Sequence, residues 1–153
     1  RLRSKEELTQ ELQIILKEND IQFNDDYVAI VCEQFKERAT FIRDIWEEGK
    51  YYFIPPTSYD EKTIRKKWKE NTPELLLELS CRLENINEFT SENIEVEFKS
   101  YLEEKELGMG RLLPVFRLSL TGLGVGPSIF NIASLLGKEE AIKRMQRAIN
   151  KIK

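Results

Sequence analysis

Apolar residues recur three or four positions apart along most of this chain, which places them on one face of an α-helix. The first segment shows the pattern clearly. Ser4 and Glu7 have the spacing of a capping box, and leucine or isoleucine follows at positions 8, 12, 15 and 16. The same spacing persists almost to the last residue. It predicts an all-α fold of about eight helices.

Residues typical of helix starts and ends divide the chain further. N-capping residues, or proline at a first helical position, predict starts at Asn24, Asp60, Thr72, Thr90 and Pro127. We expect a third helix over about 39–48 that stops at Gly49. Two final helices, at about 128–136 and 139–152, are expected on either side of Gly137.

A short aromatic segment marks a boundary. Residues 51–54 are predicted to be extended, and Pro55 and Pro56 after them cannot continue a helix. We therefore expect two helical subdomains, residues 1–56 and residues 57–153.

The residue types that are missing exclude several kinds of site. The chain has no histidine, which excludes Ser-His-Asp and Cys-His catalysis and every zinc site that contains histidine. Cys32 and Cys81 are too few for a metal tetrad, and both lie in apolar runs. They are predicted to be reduced core thiols of a cytoplasmic protein. We predict no catalytic residue and no metal ligand in this chain.

Length and chain start set further limits. The 153 residues correspond to about one domain. No apolar stretch approaches the roughly 20 residues that span a bilayer, so no membrane association is expected. The chain begins at Arg1 without methionine, which predicts that it is part of a longer polypeptide.

Charge is distributed unevenly along the chain. Residues 1–106 hold 16 Lys and Arg against 25 Asp and Glu, a net −9, whereas residues 107–153 hold 8 against 2, a net +6. This asymmetry is typical of a chain whose last part faces an anion. The alternative is a basic terminal helix that is simply solvated.

Two further segments have one functional and one structural interpretation each. The glycine-rich loop 121–128 lacks the Gly-Lys-Ser/Thr of a nucleotide-binding loop and the spacing of a dinucleotide fingerprint. It is either a flexible turn or a loop whose backbone approaches a ligand. Residues 65–69 mix basic and aromatic side chains, either as an RNA-binding helix or as lysines extending around a buried Trp68.

Several short motifs occur in an order that resembles one known family. They are Gly108-Met109-Gly110, Phe116 to Gly122, Gly126 to Phe130, Leu135 to Glu139, and Arg144. Upstream, residues 35–43 and 50–53 resemble an arginine-bearing helix and an aromatic turn of the same family. Together they resemble the C-terminal anticodon-binding region of bacterial-type glutamyl-tRNA synthetase, a class I aminoacyl-tRNA synthetase. The resemblance covers essentially the whole chain.

Four positions depart from the family pattern. Pro114 lies three residues before Arg117, where the family usually has proline two before, and Phe116 replaces the usual leucine. Gly126 stands where a threonine can contact a base, which leaves only backbone contact. Lys99 occupies a position often held by arginine and lacks its planar fork.

The resemblance implies a function and a set of site residues. The parent enzyme would activate glutamate with ATP in an N-terminal catalytic domain and transfer it to tRNA(Glu), and this chain would read the anticodon without binding a cofactor. The implied anticodon-binding residues are Arg38, Lys99, Arg117, Gly126, Pro127, Ile129 and Phe130.

Within that set the resemblance implies a division of labour. Arg38 would read the third anticodon base, and the other residues would contact the first two. The implied partners are the tRNA(Glu) anticodon stem-loop and the catalytic domain of the same polypeptide, with the protein a monomer. The alternative is a non-catalytic helical protein-interaction module that binds no RNA.

Overall fold

The structure, a computed structural model, describes residues 4–35 and 42–152. In these ranges the chain forms nine α-helices and a short 3-10 helix, and no strand. They are α1 (Lys5–Glu18), α2 (Asp25–Phe35), α3 (Ile42–Gly49), the 3-10 helix (Lys50–Tyr52), α4 (Glu61–Lys67), α5 (Thr72–Glu84), α6 (Ser91–Lys105), α7 (Met109–Thr121), α8 (Ile129–Leu136) and α9 (Lys138–Lys151). The all-α prediction is confirmed.

The chain divides into two compact units, Arg1–Ile54 and Pro55–Lys153. The division follows Ile54, whereas the sequence placed the boundary between residues 56 and 57. The assignment of the two segments as anticodon-binding subdomains stays a prediction.

Most predicted helix starts form the expected capping contacts. Ser4 and Glu7 make a reciprocal capping box, with the Glu7 N–H donating to Ser4 Oγ at 3.1 Å. Asn24, Asp60 and Thr90 each accept a hydrogen bond from the backbone N–H three residues further on. Each cap satisfies a backbone donor that has no partner inside its own helix.

Two predicted starts are displaced by one or two residues. Thr72 is the first residue of α5 instead of its cap, because its Oγ1 accepts from the Lys69 N–H, which lies before the helix. Pro127 precedes α8, and Ser128 is the N-cap that accepts from the Asn131 N–H. The predicted third helix is described from Ile42 to Gly49.

The first unit packs α1, α2 and α3 around nearly fully buried apolar side chains, among them Leu12, Leu16, Val28, Val31, Phe35 and Ile45. The extended segment predicted over residues 51–54 is wrong. The N–H groups of Phe53 and Ile54 both donate to the Lys50 carbonyl, at 2.9 and 2.8 Å, so the chain turns tightly there. The turn buries three consecutive aromatic side chains, which a strand would point to alternate faces.

The second unit is built on α5, α6, α7, α8 and α9, with α5 packed on α9 and α6 packed on α8. Its core includes Leu76, Leu79, Leu83, Ile94, Phe98, Leu112, Phe116 and Met145. The short helix α4 has no buried residue of its own and contacts α7. Ile64 of α4 and the adjoining Trp68 pack on Leu118, Ala148 and Ile152, which fixes that helix on the unit.

A polar network joins α5 to α6 at the edge of this unit. The Tyr101 hydroxyl donates to Glu78 Oε1 at 2.6 Å, and the Lys105 ammonium lies 3.0 Å from the same oxygen. These two donors hold the pKa of Glu78 below its usual value. Beside them, the Arg82 guanidinium bonds Glu97 and Glu104, at 2.8 Å each, and these carboxylates raise its pKa.

The two cysteines differ in environment, although the sequence predicted both to be core thiols. Cys32 is 1% exposed, and burial raises the pKa of its thiol to about 11. Cys81 is exposed on α5, so its prediction is wrong. The neighbouring Ser80 takes the inward position instead, since consecutive helical residues point in different directions.

Two searches of the described residues found nothing that would add a function. None of the helices described is long and apolar enough to cross a bilayer. Over the same residues, no group of three or more Cys, Asp or Glu side chains is arranged to hold a metal ion.

Candidate nucleic-acid interface

The glycine-rich loop after α7 is anchored at its start. Gly122 caps α7 with φ of 79°, and its N–H donates to the Leu118 carbonyl at 2.8 Å. Its own carbonyl accepts from the Asp60 N–H at 2.9 Å. A Cβ at Gly122 would lie 2.7 Å from the Ser58 carbonyl oxygen, so both conformation and space favour glycine here. The loop therefore leaves the helix in a defined direction.

The far end of the loop is held by Arg117. This half-buried side chain donates from Nη1 to the Pro127 carbonyl oxygen at 2.7 Å. A Cβ at Gly126 would lie 2.9 Å from the same Nη1 atom, so the backbone at 126 packs closely against the guanidinium. The structure thus brings together Arg117, Gly126 and Pro127, three of the residues that the resemblance implies for anticodon binding.

Ile129 and Phe130 follow at the start of α8 and point inward. Ile129 is 2% exposed and Phe130 is 7% exposed. The Phe130 ring lies 5.4 Å from the ring of Phe98 and 6.5 Å from that of Phe116, measured between centroids. The rings therefore anchor the start of α8, and the Phe130 ring presents almost no face on which a base could stack.

The other two predicted residues are placed differently. Lys99 lies on the exposed side of α6, where its ammonium pairs with Glu95 at 2.7 Å. Its neighbour Phe98 is buried in the aromatic cluster under α8. Arg38 lies outside the described residues.

A buried arginine supports the loop from α9. Arg144 is 2% exposed, and its Nη1 donates to the Leu120 carbonyl oxygen at 2.7 Å. Its Nε bonds Glu140 Oε2, also at 2.7 Å, on the same helix. Arg144 thereby fixes the last turn of α7, where both Arg117 and the loop begin.

The positive charge of the C-terminal third is only partly on the surface. Arg144 is buried and paired with Glu140, Arg117 is half-buried, and Lys143 pairs with Glu139 at 3.7 Å. A second basic surface comes from outside this third. Helix α4 carries Lys62, Arg65, Lys66 and Lys67 against one acidic residue, Glu61.

A cavity of about 430 Å³ lies between α4 and the glycine-rich loop. Lys62, Lys66 and Lys67 line it from α4, and Leu123 and Val125 line it from the loop. Trp68 lies apart from this surface, half-buried on the core, as the structural interpretation of residues 65–69 predicts for that ring. The lysines, by contrast, face the cavity.

Sequence reasoning missed two of these features. The clamp from Arg144 was invisible because its partner carbonyl, on Leu120, is 24 residues away. The cavity was invisible because α4 and residues 123–125 are distant in sequence. A signal did exist for the second, since Leu123 and Val125 are large apolar residues within a glycine-rich loop, where polar residues are usual.

Comparison with known proteins identifies the family. The model of the family described as "Anticodon binding domain" matches residues 6–149. The match covers nearly the whole chain and both compact units. The chain therefore belongs to this family of anticodon-binding domains.

The most similar relatives narrow the assignment. The chain is 42% identical over 151 residues to the glutamate–tRNA ligase of Phocaeicola vulgatus, covering 99% of this chain and 30% of that protein. It is 46% identical over 135 residues to the corresponding ligase of Flavobacterium psychrophilum, covering 88% of this chain and 27% of that protein. The predicted resemblance to the C-terminal anticodon-binding region of glutamate–tRNA ligases is confirmed.

A solved structure agrees with this assignment. The glutamate tRNA ligase of Elizabethkingia meningosepticum, solved in complex with its amino acid, superposes with a TM-score of 0.90 at 36% identity. The superposition covers 99% of this chain and 30% of that one. The chain thus spans under a third of the length of the relatives it matches.

Proposed function

We propose that this chain binds the anticodon loop of a glutamate-accepting tRNA and that Arg117 and the backbone of Gly126 and Pro127 form the base-reading surface. The observation that carries the proposal is the hydrogen bond from Arg117 to the Pro127 carbonyl. It holds a guanidinium against an exposed backbone segment at the start of a helix. The family match supports RNA as the ligand.

The chemistry of this surface suits single-stranded RNA. Unpaired bases are read through hydrogen bonds to their edges and through stacking on planar groups. A guanidinium offers both, because it is planar and carries five N–H donors. Gly126 contributes backbone alone, so the contact there is made by main-chain groups.

The remaining elements of the proposal concern the whole protein. We propose that the chain acts as part of a cytoplasmic glutamate–tRNA ligase, linked to a catalytic domain that binds ATP and charges tRNA(Glu). No residue of this chain is assigned to ATP. Lys99, Ile129 and Phe130 are proposed to support or flank the base-reading surface, with the two buried side chains acting through packing.

A direct binding measurement tests the proposal. We expect the chain to bind an anticodon stem-loop RNA with the glutamate anticodon, and the affinity to fall as salt concentration rises. Arg117→Lys keeps the charge but loses the fork, and should weaken binding by about 5- to 150-fold, the range expected for loss of a bidentate base contact. Arg147→Lys, at an exposed position on α9, is the control and should bind as the wild type does.

Two outcomes would contradict the proposal. No salt-sensitive binding of the stem-loop would favour the alternative, a helical protein-interaction module. Equal affinities of Arg117→Lys and Arg147→Lys would leave RNA binding in place but remove Arg117 from the base-reading surface.

Arg38 is proposed to distinguish glutamate from glutamine anticodons, which differ at the third base. In the full-length enzyme, Arg38→Gln should relax the preference for glutamate tRNA over glutamine tRNA by about 5- to 150-fold, because one arginine fork reading one base is worth roughly 1–3 kcal/mol. Aminoacylation of both tRNAs, before and after the change, measures the ratio. A ratio that stays within a factor of about two in a folded variant would overturn this role.

A further inference from the structure

We propose that the cavity between α4 and the loop 123–125 is a second RNA subsite, which holds one unstacked nucleotide next to those read at Arg117. Its phosphate would lie on the lysines of α4, and its base on the apolar side chains of the loop. This inference rests on the proposed function, since it assumes that the chain binds RNA.

The cavity has the size and the two kinds of wall that a nucleotide needs. Its volume of about 430 Å³ lies within the range of roughly 300–1,000 Å³ that is typical of small-ligand sites. One wall carries the ammonium groups of Lys62, Lys66 and Lys67. The opposite wall carries the side chains of Leu123 and Val125.

The lysines of this wall differ from others on the surface because no acidic partner neutralises them. Among the residues that the structure describes, four lysines pair with a glutamate at 2.7 to 3.7 Å: Lys50, Lys99, Lys105 and Lys143. Over those same residues, no carboxylate lies within ion-pair distance of Lys62, Lys66 or Lys67. Three like charges around one cavity attract a polyanion.

One carboxylate does line the cavity, and it is already engaged. Asp60 Oδ2 accepts from the N–H of Thr63 at 3.0 Å and from its hydroxyl at 2.6 Å, as the cap of α4. These hydrogen bonds lower the pKa of Asp60, so it stays ionised near neutral pH. The three lysines outnumber this single negative charge, and the cavity remains positive.

The apolar wall is unusually exposed for a folded domain. Val125 is 82% exposed and Leu123 is 46% exposed, at the tip of the loop. The flat face of a base would cover these side chains while its phosphate stayed with the lysines, and such contacts are tolerant of sequence. A protein partner could also cover an apolar tip, but the uncompensated lysines favour a polyanion.

The cavity is continuous with the base-reading surface. Val125 and Pro127 are two residues apart, and their Cα atoms are separated by at most about 7 Å. A strand bound at Pro127 would therefore pass the mouth of the cavity. The loop is also seated firmly on α4, because a Cβ at Gly124 would collide with Thr63 Oγ1. The site thus requires little ordering when RNA binds.

Binding to the glutamate anticodon stem-loop, measured across a range of salt concentrations, tests the phosphate wall. Lys62→Ala/Lys66→Ala should bind more weakly, and its slope of log affinity against log salt should be shallower by about 1.4, at roughly 0.7 per lost phosphate contact on a single strand. Lys5→Ala/Lys17→Ala removes the same charge from exposed positions on α1 and should keep the wild-type slope. Thermal unfolding of both variants confirms that they are folded.

A series of stem-loops, each lacking one loop base, tests the apolar wall. Loss of one particular base should weaken wild-type binding, and the same loss should have a smaller effect on Val125→Ser. Such non-additivity shows that the base and the side chain interact. Additive effects at every loop position would remove the base from this wall and overturn the subsite.

The outcomes separate this inference from the proposed function. If the wild type does not bind the stem-loop, both are overturned. If it binds in a manner that depends on Arg117 while Lys62→Ala/Lys66→Ala keeps the slope of the control, only the subsite is overturned. A cavity that serves a protein partner would give this second result.

Discussion

The Arg117 guanidinium donates from Nη1 to the carbonyl oxygen of Pro127 at 2.7 Å, and this one hydrogen bond joins α7 to the residue that precedes the cap of α8. It closes the glycine-rich loop between the two helices. Because Arg117 is half-buried, the bond is partly shielded from water, and a charged donor makes it stronger than a neutral one. The geometry of the loop therefore depends on the same side chain that is proposed to bind RNA.

Gly126→Ala should weaken RNA binding without unfolding the chain. The new Cβ would lie 2.9 Å from Arg117 Nη1, and the flexible end of that side chain would move aside, breaking its contact with Pro127. We expect stem-loop affinity to fall by at least about fivefold, equivalent to roughly 1 kcal/mol, the lower end of what one lost hydrogen bond to a charged group costs.

Gly110→Ala is the matched control for this change. Gly110 lies in the first turn of α7, and a Cβ there would meet no atom within 4 Å. Replacing a helical glycine with alanine should raise the free energy of unfolding by up to about 1 kcal/mol. Its affinity for RNA should match that of the wild type. Equal affinities of the two glycine variants would show that the close approach at Gly126 has no role in binding.

Phe130→Ala should destabilise the second unit severely. The ring packs between Phe98 and Phe116, and its removal leaves a cavity in the core, which costs about 3–5 kcal/mol. Urea denaturation measures the change. Val125→Ala, at a residue 82% exposed, should stay within about 0.5 kcal/mol of the wild type. A Phe130→Ala variant as stable as this control would mean that the ring is not a core residue.

Arg144→Met should reduce stability and loosen the end of α7. It removes the hydrogen bond to the buried Leu120 carbonyl while retaining much of the aliphatic packing, and an unsatisfied buried acceptor costs about 1–3 kcal/mol. Hydrogen exchange should show faster opening of the Gly122 amide, which bonds Leu118 in the same turn. Lys143→Met, exposed on the same helix, is the control. Unchanged exchange at Gly122 would contradict a clamp at Arg144.

Glu78 should make stability depend on pH in the acidic range. Its pKa is lowered in the folded state by the Tyr101 hydroxyl and by Lys105, so the folded chain favours the ionised carboxylate. Its contribution is therefore present above the unfolded pKa of about 4.3 and is lost as pH falls through the lower, folded value. Tyr101→Phe should flatten this loss when urea denaturation is repeated across the acidic range. A dependence as steep as that of the wild type would assign acid sensitivity to other carboxylates.

Local features of the fold were predictable from the sequence because the interactions that produce them are local. Ser4, Asp60 and Thr90 each cap a helix through a contact with a residue three positions on. Such a contact is decided within one turn, whatever the rest of the chain does. The family resemblance likewise depended on short motifs in a fixed order, and it identified Arg117, Gly126 and Pro127 as neighbours in a site.

Burial and long-range pairing were decided only by tertiary structure. Residues 51–54 form a tight turn because the core accepts three aromatic rings in succession, and their sequence alone suggested an extended segment. Cys81 is exposed because of the side of α5 that packs inward.

The support of the candidate site belongs to the same class. Arg144 reaches a carbonyl 24 residues earlier, and the cavity needs α4 and the loop 123–125 to lie side by side. The sequence by itself determined the helices, most of their starts and the family, since these follow from spacing and from contacts within a turn. The chain's folding decided which side chains are covered and which charges face one cavity, because both depend on residues that are distant along the chain and become neighbours only when the helices pack.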